Sequence, residues 1–210
     1  MQRIDIENPT RKKIVMLLKK HGGMTTDELS RFLNITPMGI RQHLLALEKR
    51  GIITYELKKG GIGRPGFIYS LTEGAENLFP KSYHKLVIDI LEEIEKKEGI
   101  KKVEDLFRWR KARLLKERQA VLGDITSMEE KVKAMSSILD REGYLVEYDR
   151  DDHNYYIRQY NCPLSAVARR YSQCCKYELQ LYRDLFSKKV TREGCIAEGS
   201  TACVYSIPKR

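Results

Sequence analysis

The sequence predicts an α+β protein with three regions: an amino-terminal part of helices and paired strands, a helical middle, and a carboxy-terminal α+β part that carries the cysteines. Three observations lead there. Helix caps recur at Asn8-Pro9, at Thr25 with Glu28, and at Thr36-Pro37. Apolar residues then keep helical spacing through most of residues 83–141. Strand-like alternation returns between Tyr144 and Tyr160, and all the cysteines (Cys162, Cys174, Cys175, Cys195 and Cys203) follow it.

Asn8 is an N-cap side chain followed by proline at the first helical position, and Ile14, Leu17 and Leu18 recur at helical spacing until His21-Gly22-Gly23. This predicts helix one over residues 9–20. Thr25 and Glu28 form a capping box for a short second helix, with Leu29, Phe32 and Leu33 on one face and Asn34 as its stop. Thr36-Pro37 starts a third helix that runs to about residue 50, with Ile40, Leu44 and Leu47 on its inner face. After Gly51, Ile52–Tyr55 and Phe67–Leu71 read as two strands. The stretch between them, Lys58-Lys59-Gly60-Gly61-Ile62-Gly63-Arg64-Pro65-Gly66, is a basic hairpin tip.

Helices two and three are separated only by Asn34 and Ile35, the spacing of a helix-turn-helix whose second member enters the DNA major groove. With the strand pair and basic tip the elements spell a winged helix-turn-helix. A helical wheel places Met38, Arg41, Gln42 and Lys49 opposite the apolar face. Arg and Gln can bond guanine and adenine edges bidentately, and methionine can contact a thymine methyl. Leu45 also faces outward and suits a contact with DNA or with the wing. Lys58 and Lys59 suit the phosphate backbone, and Arg64 a phosphate or the minor groove. Thr36, at the start of the reading helix, completes the candidate DNA-binding set.

Charge distribution points the same way. The 210-residue chain carries Lys+Arg 39 against Asp+Glu 29, a net charge of +10, and residues 1–72 hold 13 Lys/Arg against 6 Asp/Glu. Most of the basic excess therefore lies in the first third, as expected of a module that meets a polyanion. With 41% hydrophobic residues the chain can bury a core, which excludes wholesale disorder and low-complexity classes. The longest aliphatic run, Ile14–Leu18, falls far short of the roughly twenty residues of a membrane span. The mixed charges of Met1–Lys13 do not read as a secretory signal, so the expected location is the cytoplasm, with no membrane partner.

In the middle, Leu86, Ile90, Leu91 and Ile94 predict a helix over Tyr83–Lys97. Further helices are expected over 103–122 and Met128–Arg141. Arg108-Trp109-Arg110-Lys111-Ala112-Arg113 is a conspicuous basic-aromatic stretch, read as a core or interface anchor at Trp109 flanked by solvated cations. Operator-reading winged helices work as symmetric dimers on paired half-sites, so these helices are expected to carry a homodimer interface.

At the carboxy-terminal end, Tyr144–Tyr148 and Tyr155–Tyr160 read as strands around a polar turn. Cys162 precedes a helix start, where free backbone N–H groups favour a thiolate. Cys174 and Cys175 open another helix. Cys195 and Cys203 adjoin strands over 190–195 and 203–207, and a connection closing at Gly199 would bring them together. An odd number of thiols in a reducing compartment argues for metal ligation, redox sensing or burial over a disulfide framework. Four cysteines on four element ends offer a tetrathiolate set that zinc or an iron–sulfur cluster accepts. No C-x-x-C dithiol, nucleophile elbow or phosphate-cradling glycine loop is present, so the expectation is a protein without enzymatic activity.

Several of these motifs together resemble the SufR-like winged-helix repressors of iron–sulfur cluster assembly. The resemblance rests on Arg41-Gln42-His43-Leu44, on Gly63-Arg64-Pro65 with Tyr69, Leu71-Thr72, Gly74 and Leu78-Phe79-Pro80, and on Asn161-Cys162-Pro163 with Val167-Ala168. It continues through Cys175 with Glu178-Leu179, then Cys195-Ile196-Ala197, Gly199 and Cys203. It implies a repressor whose operator affinity is set by an iron–sulfur cluster, [4Fe-4S] or [2Fe-2S], held by Cys162, Cys175, Cys195 and Cys203. Cys174 has no counterpart in the pattern and is left as structural or spare. The alternative is the same regulator with structural zinc, responding to thiol oxidation or a small molecule. The expected organisation is a winged helix-turn-helix domain over 1–80, a helical dimerisation region over 81–142 and an α+β sensor domain over 143–210, acting as a homodimer on a palindromic double-stranded operator.

Overall fold

The computed structural model describes residues 6–57 and 66–209. It separates into two compact units, residues 1–81 and 82–210, each with its own core. None of the described helices is long and apolar enough to cross a membrane.

In the first unit, α1 (Pro9–His21) begins where Asn8 Oδ1 accepts the N–H groups of Thr10 and Arg11 at 3.0 and 3.1 Å. Helix α2 (Thr26–Leu33) starts with a complete capping box: the Glu28 N–H donates to Thr25 Oγ1, and the Thr25 N–H donates to Glu28 Oε2 at 2.7 Å. Asn34 ends it in the left-handed region at φ +54°. Helix α3 (Pro37–Lys49) follows after Asn34, Ile35 and Thr36, the last of which caps it through Oγ1. The turn is tight at Gly39, where a Cβ would lie 2.9 Å from the Ile35 side chain. Strands β2 (Ile53–Leu57) and β3 (Phe67–Leu71) pair antiparallel from Ile53↔Leu71 to Leu57↔Phe67. The sequence did not signal β1 (Met24–Thr25), which pairs with β3 to give the order β1-β3-β2, because two residues are too few to show alternation. Ile14, Val15, Leu18, Leu29, Ile40, Leu44, Leu47 and Ile53 are almost completely withdrawn from solvent beneath this sheet.

The second unit contains α4 (Tyr83–Glu98), α5 (Ile100–Leu122), α6 (Met128–Arg141), α7 (Ser165–Arg170) and α8 (Gln173–Leu185). These pack with an antiparallel sheet of β4 (Val146–Arg150), β5 (Asn154–Gln159), β6 (Thr191–Gly194) and β7 (Cys203–Pro208), in the order β4-β5-β7-β6. Strand β4 starts two residues later than the alternation suggested. Leu145 takes φ +50°, which breaks the extended backbone, and Tyr144 is buried in the core. Residues of the helical middle (Leu91, Val103, Phe107, Val132 and Met135) share one core with Ile157, Tyr182, Tyr205 and Ile207 of the cysteine-bearing part.

Trp109 is not a core anchor: it is half exposed, with Lys102 Nζ 5.6 Å from its ring centroid. Its cationic neighbours meet carboxylates, Arg108 on Asp105 at 2.7 Å, Arg113 on Glu117 at 2.7 Å, and Lys111 on Asp184.

The second core is organised by Tyr182, whose ring stacks on Tyr205 with centroids 4.0 Å apart. Gln159 Nε2 donates to the Tyr182 hydroxyl at 2.8 Å, and both side chains are fully buried. Removing that hydroxyl leaves a buried amide donor unsatisfied. Tyr182→Phe should therefore destabilise the second unit by about 1–3 kcal/mol in urea unfolding followed by near-ultraviolet circular dichroism, and Tyr182→Ala by more, about 3–5 kcal/mol.

Candidate DNA-binding face and thiol centre

Helix α3 turns Ile40, Leu44 and Leu47 into the first core, and its periodicity then fixes what faces out. Thr36, Met38, Arg41, Gln42, Leu45 and Lys49 are all exposed. The Thr36 hydroxyl oxygen accepts the Gly39 N–H at 3.3 Å, so this residue shapes the helix start as well as standing on the outer face. Arg41 and Gln42 project side by side with no described side chain hydrogen-bonded to either, and Met38 lies exposed one turn nearer the amino end. Lys58, Lys59 and Arg64 lie outside the described residues. At the near end of the hairpin, Tyr55 packs on Phe67 with centroids 4.8 Å apart and on Tyr69 at 5.7 Å.

The thiols of the second unit come from four segments. Cys162 lies between β5 and α7, Cys174 and Cys175 are in the first turn of α8, Cys195 follows β6, and Cys203 begins β7. Cys175 Sγ and Cys195 Sγ are 3.9 Å apart. Cys203 Sγ accepts the Ile196 N–H at 3.3 Å, which places it beside the residue after Cys195. That approach depends on Gly199, at φ +99°, which turns the connection back so that the Ser200 N–H donates to the Cys195 carbonyl at 3.0 Å. Cys162 lies within electrostatic reach of Cys195, and Cys203 within reach of Cys195 and Cys162, so that a second thiolate in this neighbourhood would be disfavoured by a first. Cys174, left over by the motif, belongs to the same neighbourhood and feels Cys162 and Cys195.

Burial dominates the acidity of these groups. It raises the Cys162 and Cys175 thiols and pushes Cys174 and Cys203 up to about 12. Leu164 offers Cys162 the backbone hydrogen bond expected at a helix start, and this opposes the rise; burial outweighs it, so the expected thiolate preference is reversed. Glu178, one turn beyond Cys175, is also raised by burial and accepts the Tyr205 hydroxyl at 2.7 Å. Arg192 donates to the Cys175 carbonyl at 3.0 Å and meets Glu198 at 3.2 Å. Nothing local in the sequence marked Arg192, because its Cys175 partner lies seventeen residues away on α8.

The donor chemistry of Cys162, Cys175, Cys195 and Cys203 suits a soft metal or an iron–sulfur cluster. The geometry supplies one close pair, and among the described residues no group of three or more Cys, His, Asp or Glu donors is arranged to hold a metal ion. The 3.9 Å Cys175–Cys195 separation is near the edge of a thiolate tetrahedron around zinc, about 3.8 Å for bonds of about 2.3 Å.

Among solved structures, the chain is similar to a transcriptional regulator homologue from Pyrococcus horikoshii, with 24% identity, 34% of this chain and 70% of that chain covered, and a TM-score of 0.31. It is also similar to ZitR, a zinc-responsive MarR family member from Lactococcus lactis, with 18% identity, 68% and 82% covered, and a TM-score of 0.32. A third is the adhesin competence repressor AdcR from Streptococcus pyogenes, with 19% identity, 51% and 79% covered, and a TM-score of 0.31. No curated protein matches the chain. Residues 7–54 match the family model described as winged helix-turn-helix DNA-binding, which with the outward face of α3 makes the amino-terminal unit a winged helix-turn-helix DNA-binding domain.

Proposed function

We propose that the protein is a transcriptional repressor that reads its operator through α3 and the wing, and that its second unit holds an iron–sulfur cluster on Cys162, Cys175, Cys195 and Cys203 whose state sets operator affinity. The single observation that carries this is one chain joining a matched DNA-binding domain to thiols from four segments gathered in one buried neighbourhood. When bound, the cluster would supply a redox- and iron-dependent change of charge at the site. The residues of this chain supply the rest: Arg192 fixes the backbone at Cys175, Gly199 brings Cys195 to Cys203, and Leu164 directs an N–H at Cys162.

Structural zinc on the same cysteines is the second reading, favoured by the 3.9 Å Cys175–Cys195 approach. Both readings take the protein as cytoplasmic and as a homodimer on a palindromic operator. The dimer is proposed to form through the outer face of α4, where Leu86 and Ile90 are each at least half exposed.

For the DNA half, Arg41→Ala should cost operator binding about 1–3 kcal/mol and relax preference at one base pair, and Gln42→Ala should do the same at another. Lys49→Ala should weaken all sequences alike and lower the salt slope by about 0.9. Mobility-shift titrations on operator and random duplexes at several salt concentrations distinguish these effects. Unchanged operator affinity in both Arg41 and Gln42 variants would remove α3 as the reading helix.

For the thiol half, anaerobically purified protein should be brown and contain iron and sulfide. Cys203→Ser should lose both, while Cys174→Ser should retain them. Colourless protein with stoichiometric zinc would select the second reading.

For the dimer, Ile90→Glu should shift sedimentation towards monomer. A variant that remains dimeric would move the interface elsewhere.

A further inference from the structure

The second unit holds a cavity of about 450 Å³ that neither the DNA face nor the thiol set uses. Its walls are apolar: Val87 and Leu91 of α4, Phe107 of α5, and Leu164 and Val167 of the segment following Cys162. Cys174 closes one side, Arg110 reaches in from α5, and Tyr83 and His84 of α4 complete the polar part of the lining. The neighbouring cations of α5 are neutralised, Arg108 by Asp105, Lys111 by Asp184 and Arg113 by Glu117. Arg110 is half-buried and, among the described residues, makes no ion pair and no hydrogen bond. Glu178 lies within its electrostatic reach but forms no ion pair with it, one of its oxygens accepting the Tyr205 hydroxyl.

An unpaired guanidinium beside an apolar hollow of this size is the arrangement that recognises an amphipathic anion. A guanidinium takes a carboxylate bidentately in its own plane, and a monoanion balances its one charge; against an otherwise apolar wall only Tyr83 and His84 of α4 could add donors for a phosphate dianion. We propose that this cavity is a binding site for a monocarboxylate with a compact apolar body, its carboxylate on Arg110 and its body against Val87, Phe107 and Val167. The site does not rest on what the cysteines hold. It shares walls with them, however, because Leu164 and Val167 follow Cys162, and Cys174 precedes Cys175. Occupancy would therefore restrain two of the thiol-bearing segments at once, and by linkage their state would change affinity for the carboxylate.

The test is calorimetric titration of the full chain with 4-tert-butylbenzoate and with the isosteric 4-tert-butylbenzamide. The acid should bind saturably at one site per chain, at least about tenfold more tightly than the amide. Arg110→Gln should erase that preference. Ala166→Phe, which adds bulk at a partly buried wall position, should abolish binding of both probes while circular dichroism shows the fold retained. Equal affinity for acid and amide, no binding of the acid at millimolar concentration, or binding indifferent to both substitutions would each overturn the proposal. So would an Ala166→Phe variant whose only change is in sedimentation, which would assign the cavity to a subunit interface. None of these results bears on operator binding or metal content, so failure here is distinguishable from failure of the regulator reading.

Discussion

One face of α8 governs the second unit. Cys175, Glu178 and Tyr182 follow at intervals of three and four residues, so they form a single stripe along the helix. Each meets the sheet side of the unit: Cys175 approaches Cys195, Glu178 takes the Tyr205 hydroxyl, and Tyr182 stacks on Tyr205 and receives Gln159. The seam is aromatic and polar, and its hydrogen bonds have directions that a purely aliphatic interface would lack. Sliding α8 by one residue would break all of them together, so the seam fixes the register that sets Cys175 beside Cys195. The thiol neighbourhood follows from this helix–sheet contact.

Ties from the other helices reinforce the placement. Arg170 pairs with Glu92 at 3.0 Å, and the Tyr171 hydroxyl donates to Glu95 at 2.9 Å, linking the segment between Cys162 and Cys175 to α4. Exposed ion pairs of this kind add little stability singly, but the tyrosine bond is partly buried and directional. The thiol-bearing segments are thus attached to the sheet through α8 and to α4 through α7. The basic stretch of α5 takes part in this scaffold through the pairing of Lys111 with Asp184 of α8.

The sequence was most legible where the physics is local. N-caps, the capping box and the proline starts announced α1, α2 and α3, because a side chain and the N–H it satisfies lie within three residues of each other. The outward face of α3 was legible for the same reason: once Ile40, Leu44 and Leu47 are inside, Arg41 and Gln42 have nowhere else to go. Strand β1 escaped because its signal is its partner, Tyr69, more than forty residues away. The start of β4 was misplaced because left-handed Leu145 carries no glycine or asparagine to mark it. For the thiols, the turn at Gly199 was readable, but the closeness of Cys175 to Cys195 depends on how α8 lies against the sheet. The reversed acidity of Cys162 has the same origin, since burial is set by distant residues and a helix start by adjacent ones.

The capping box of α2 has a consequence for how the amino-terminal unit handles load. Thr25 is at once the N-cap of α2 and the partner of Ile68 in the sheet. The helix that precedes α3 is therefore fastened at its N-cap to the strand that leads out of the wing, with no flexible connection between them. Displacement of the wing strand along its own axis would be carried straight into α2, and through the short Asn34–Thr36 turn into α3. Groove and backbone contacts on such a unit are made or lost together, as with a rigid bracket bolted at both ends.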